Sequence, residues 1–139
     1  MRDDVLLIWE DEKNETEDDD LEKFVSKVNQ IQPRIQFTIE REEEKSIPFL
    51  DIRISRKGTR LKTSVYRKRT HTQKYLHWKS NHPKSCKLGV LKSLIHRAHI
   101  LCDEEVDLKD ELDLLKDVFI CNGFPPDLVI KTIKESWAI

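Results

Sequence analysis

The stretch VFICNGFPPDLV, residues 118–129, decides how the C-terminal part of the chain is organised. An apolar run reaches Asn122-Gly123, a pair suited to the left-handed conformation that closes a helix. Pro125 and Pro126 then stand where a new helix begins, since proline is tolerated in the first turn and not beyond it. Upstream, Leu108, Leu112, Leu115 and Phe119 recur at helical spacing, and downstream Leu128, Val129, Ile133 and Trp137 mark one side of the next helix. A third helix is expected after Pro83, with Leu88, Leu91, Leu94 or Ile95, Ala98 and Leu101 as its apolar stripe. Ser85, Lys92, His96 and His99 fall on its opposite face. The pattern predicts a basic loop and a three-helix bundle, the last two helices having a helix-turn-helix outline.

Before Arg69 the periodicity changes. Val5–Trp9 is a continuous apolar run, expected to be a strand buried on both faces. The acidic tract EDEKNETEDDD, residues 10–20, reads as a loop whose last aspartates, Asp18–Asp20, suit the positive start of a helix. Leu21, Phe24, Val25, Val28 and Ile31 form that helix's stripe, and Pro33 stops it. Ile35, Phe37 and Ile39 alternate with polar residues as a strand would. SIPFLDIRIS (46–55) and TRLKTSVYRK (59–68) flank Lys57-Gly58, predicting a hairpin, with Pro48 confined to an edge or a strand start. The expected fold class is therefore α+β, in a chain long enough for one modest core.

A net charge of −1 conceals strong segregation: residues 1–51 carry −9, residues 52–102 carry +14 without one carboxylate, and residues 103–139 carry −6. The central tract also holds all five histidines. Such a tract is what a polyanion-binding surface looks like in sequence. Its densest part runs Arg67, Lys68, Arg69, His71, Lys74, Lys79, Asn81, His82, Lys84 and Lys87, interleaved with Tyr75, His77 and Trp78. Cations neutralise phosphates at any sequence, and rings and planar amides pack on sugars and bases. Nothing in it points to base-specific reading.

No apolar run approaches the roughly 20 residues of a membrane span, and the N-terminus is acidic where a secretory signal is basic and then apolar. An intracellular location, nuclear or cytoplasmic, is expected. Cys86, Cys102 and Cys121 form no framework and are expected to be reduced thiols, two of them packed in helices. His71, His77, His82 and Cys86 are acceptable zinc ligands by type, but their spacing matches no standard zinc pattern.

In order along the chain, DDVLLIW (3–9), PFLDIRI (48–54), VYRKRTHT with YLHWKSNHP (65–83), KLGVLKSLIHRA (87–98) and NGFPPDLV (122–129) resemble the C-terminal half of Penelope-like retroelement reverse transcriptases. The resemblance covers nearly the whole chain. It implies a palm remnant over residues 1–69 and a thumb-like helical domain over 70–139. It implies that Asp3 and Asp4 stand in the turn of a catalytic hairpin and help to hold Mg²⁺, Asp3 as direct ligand and Asp4 in an auxiliary role; bound metal offsets the repulsion between them. Phe49 and Leu50 would then lie near a primer terminus, in a primer-grip-like hairpin.

The sequence departs from that family's pattern at Met1, where an aromatic residue is usual, and it carries neither the earlier palm carboxylate nor the nucleotide-binding fingers. A catalytically incomplete protein is therefore expected, holding no Mg²⁺ tightly and inactive alone, but keeping a basic surface for a template–primer RNA/DNA duplex. Two alternatives stay open. One is a DNA-binding helix-turn-helix, whose last helix offers only Lys131 and Lys134 against Asp127 and Glu135. The other is a protein-interaction module with one acidic and one basic surface.

Overall fold

The computed structural model describes residues 3–10, 17–68 and 72–138. Among the described residues there are four helices and one three-stranded antiparallel sheet, an α+β fold, and the chain divides into two compact units, Met1–Glu44 and Lys45–Ile139.

In the first unit, α1 (Glu17–Ile31) starts earlier than the aspartate cluster suggested, so Asp18–Asp20 fall in its first turn. It ends before Pro33, as expected. The two strands predicted here do not form. Val5–Trp9 is outside any sheet, with Val5 72% exposed, and residues 34–42 are likewise outside any strand. In place of a neighbouring strand, the Asn29 side chain serves the backbone of Phe37: its Oδ1 accepts from Phe37 N–H at 2.7 Å and its Nδ2 donates to Phe37 O at 3.1 Å. Alternating apolar residues are a preference for a pleated, half-buried surface, and without a facing strand that preference is not realised.

In the second unit, β1 (Ser46–Phe49), β2 (Ile52–Lys57) and β3 (Arg60–Val65) form a meander in the order β1-β2-β3. The run SIPFLDIRIS, expected as one strand, folds back on itself: Phe49 pairs with Ile52, and Leu50 adopts φ 55° in the intervening turn. Pro48 lies on the edge strand, where its missing N–H leaves no gap in the ladder. The second hairpin turns at Gly58-Thr59, with Gly58 at φ 61° and Lys57 paired with Arg60. β3 packs on the helices. Thr63 Oγ1 donates to Leu101 O at 2.7 Å, Thr63 N–H donates to the Asp103 carboxylate at 2.7 Å, and Asp103 N–H returns a bond to Thr63 O at 3.0 Å.

The core lies among α2 (Lys84–Leu101), α3 (Glu105–Cys121) and α4 (Pro126–Ser136). Leu91, Ile95 and Ala98 of α2 meet Leu108, Leu112, Leu115 and Phe119 of α3, with Val129 of α4 and Phe124 from the turn. Each large aliphatic or aromatic chain buried this completely stabilises the fold by roughly 1.5–3 kcal/mol. The corner between α3 and α4 has the geometry its sequence demands. Gly123, at φ 86°, donates to Ile120 O, and Phe124 N–H donates to Phe119 O; the two rings then pack edge to face, 4.9 Å between centroids. These are the two bonds and the apolar contact of a Schellman closure. Pro126 opens α4 at its first position, where no N–H is needed.

Candidate nucleic-acid interface

The carboxylate-free tract divides in two once folded. In its first part, Lys57, Lys62 and Arg67 meet Glu104 at the cap of α3 and Asp107 and Glu111 within it. Lys57 and Lys62 meet Glu104 at 2.6 and 3.3 Å, and Lys62 also meets Asp107 at 3.4 Å. The hydrogen bond to Glu104, then the bond and charge of Asp107, hold the Lys62 ammonium above its usual pKa, and the same lysines hold Glu104 below the usual carboxylate range. Arg67 makes a two-pronged ion pair with Glu111, their side chains 13% and 8% exposed. Burial works against the Arg67 charge, but Glu111's bonds and charge, with a contribution from Tyr75, outweigh it and leave the pKa raised. Arg67 is thus a structural cation whose fork is spent on a carboxylate.

The second part is the strap of residues 72–83 and the exposed face of α2. Lys68, Lys74, Lys79, Lys84 and Lys92 are all exposed, and no carboxylate among the described residues pairs with them. Asn81 and His82 are exposed beside them. Lys87 is half-buried: it donates to Trp78 O and lies over the Trp78 ring, 5.3 Å from its centroid. The aromatic residues expected to meet bases are turned inward. Tyr75 stacks on Phe119 at 5.4 Å, and Trp78 packs against Phe124 at 5.0 Å, so both rings lie against the core.

Other expected site residues are dispersed. Arg69 and His71 lie outside the described residues. Phe49 is half-buried in β1, and Leu50 is 65% exposed at its turn. Asp3 and Asp4 are exposed, and among the described residues no three His, Cys, Asp or Glu side chains are grouped to hold a metal ion. Two exposed carboxylates alone do not make a Mg²⁺ site, so no chemical step is assigned to one. His99, expected on the outer face of α2, instead meets Ser136 Oγ at 2.9 Å and sits against Trp137. Cys86 and Cys121 are exposed rather than packed; it is Cys102 that is half-buried, and desolvation pushes its thiol up.

Sequence reasoning missed Lys92 as a member of the cationic surface, although its place on the polar face of α2 was the available signal. It also missed Glu111 as the partner of Arg67, for which no local signal existed across 44 residues.

A family model described as an animal helix-turn-helix domain matches residues 74–134, from the strap to the last turn of α4. No curated protein and no solved structure matches the chain. The match supports the helix-turn-helix outline of the C-terminal end, where α3, the corner and α4 follow one another. No helix among the described residues is long and apolar enough to cross a membrane.

Proposed function

We propose that the second unit binds a nucleic-acid duplex through its phosphate backbone, using the strap and the start of α2 in place of the groove-reading helix. The observation that carries this reading is the set of unpaired lysines, Lys74, Lys79, Lys84 and Lys92, in contrast with Lys57, Lys62 and Arg67, which carboxylates of the same unit neutralise. The start of α2 supports it. No acid stands in its first turn and Pro83 offers no side-chain cap; Cys86 and Lys87 N–H donate to Pro83 O, which leaves the N–H groups of the exposed Lys84 and Ser85 at the positive end of the helix dipole. Lysines there are unfavourable unless an anion joins them, and a phosphate suits both the dipole and the charge. α3 has the ordinary arrangement, with Glu105 and Asp107 in its first turn.

The order of motifs resembling Penelope-like reverse transcriptases supplies the duplex: a template–primer hybrid held without regard to sequence by a thumb-like domain. The helix-turn-helix match favours a second reading, in which α4 enters a DNA groove. Against it, Lys131 is paired with Glu135 at 3.8 Å, Asp127 stands at the start of α4, and α3 exposes Glu105, Asp110, Asp113 and Asp117.

Fluorescence anisotropy with an RNA–DNA hybrid and a DNA duplex at low ionic strength separates the two. The combined Lys79→Glu, Lys84→Glu and Lys92→Glu variant is expected to lose binding, and Lys131→Glu with Lys134→Glu to bind nearly as the parent does. The reverse ranking would hand the function to α4, and no binding by the parent chain would refute both readings.

A further inference from the structure

The corner between α3 and α4 has a second occupant. His77 lies over Gly123 so closely that a Cβ built there would stand 2.8 Å from His77 Cε1 and 3.0 Å from Nε2. Real Cβ atoms do not approach that near, so the space above Gly123 is filled by the ring. The neighbouring bonds converge on the same place. Trp78 N–H donates to Asn122 O at 3.0 Å, and Asn122 Nδ2 donates to Gln73 O at 3.3 Å while also capping Val118 O at 2.7 Å. His77 Nδ1 accepts from Lys79 N–H at 3.1 Å, which fixes the ring and the path of the chain into Lys79 together.

We propose that the helix-turn-helix corner, Asn122-Gly123, is a positioning socket for the basic strap, and that the missing side chain at Gly123 is what lets His77 seat and hold Lys74 and Lys79 in their binding geometry. Gly123 then answers two requirements. Its positive φ closes α3, as any helix-ending glycine does, and its bare Cα receives the ring of another segment. Asn122 and Gly123 are positioning residues and touch no ligand. For its ligand the inference rests on the duplex-binding reading above; the socket itself does not.

A double-mutant cycle on the full chain isolates the contact: parent, Gly123→Ala, His77→Ala and the pair. The backbone strain of alanine at φ 86° is common to Gly123→Ala in either background and cancels, leaving the clash with the ring. Two readouts are needed, amide hydrogen exchange at Trp78, whose N–H bonds to the socket, and anisotropy with an RNA–DNA hybrid, with far-UV circular dichroism to confirm that the helices persist. Gly123→Ala is expected to speed Trp78 exchange by about tenfold and to weaken hybrid binding, with removal of the His77 ring in that background recovering part of both. Singles whose effects simply add, or unchanged exchange in Gly123→Ala, would overturn the socket. A Gly123→Ala protein with fast exchange and parental affinity would overturn its role in presenting the lysines. If the parent itself bound no hybrid, the duplex-binding reading would fall while exchange still decided the socket.

Discussion

The hairpin and the strap start from the same composition, basic and free of carboxylates, yet end with opposite electrostatic fates. Lys57, Lys62 and Arg67 lie against α3 and are matched by Glu104, Asp107 and Glu111. Lys74, Lys79, Lys84 and Lys92 face solvent unmatched. Charge segregated along a sequence becomes surface potential only where the fold withholds a complementary partner, and here Glu104, Asp107 and Glu111 are spent on three cations of the first half of the basic tract. A charge run is therefore evidence about a surface only after its tertiary partners are known.

The contrast breaks most sharply at its buried pair. Glu111→Ala leaves the Arg67 guanidinium nearly enclosed without a counter-charge, and is expected to cost about 3–5 kcal/mol in chemical denaturation. A loss much smaller than that would mean that Arg67 swings out to solvent and belongs with the strap. Next in size is the response of duplex binding to salt. Each lysine that meets a phosphate contributes about 0.9 to the slope of log K against log salt, so Lys79→Ala with Lys84→Ala should flatten it by about twice that. Lys57→Ala with Lys62→Ala should leave it unchanged, and equal slopes for the two variants would erase the distinction between the regions.

The smallest effect concerns the exposed cluster at Glu104. Its pKa is lowered in the fold, so its contribution to stability is present above the ordinary glutamate range and is lost as pH falls through the folded-state value. Thermal melts of the parent and Glu104→Gln should converge on acidification and differ modestly near neutrality. A constant gap across that range would assign the stabilisation to packing.

The helical bundle was legible because its signals are local and agree. The four α3 positions that helical spacing named are all buried, joined by Glu111 and Val118, and Asn122-Gly123 with Pro126 marked the corner. The α+β class followed as well. Less legible were features set by partners distant in sequence. Val5–Trp9 and Ile35, Phe37 and Ile39 have strand composition but no neighbouring strand, and composition cannot supply one. At Leu50 a bulky residue adopts a left-handed turn that favours glycine, so nothing in SIPFLDIRIS announced the reversal. The strap's lysines are exposed, whereas its rings, expected to face a ligand, lie against the core. An aromatic residue in a basic segment has two apolar destinations, and Phe119 and Phe124 lie too far along the chain to show which one wins.

The three sulfhydryls give the molecule a built-in way of being watched. Cys86 precedes Lys87 in the first turn of α2, Cys121 precedes Asn122, and both are open to solvent, whereas Cys102 is shielded and its acidity suppressed. Because alkylating reagents capture the thiolate and need access to it, dyes or spin labels should attach to the outer two well before the third. The native sequence thus supplies reporters at the start of α2 and beside the corner, without an introduced cysteine.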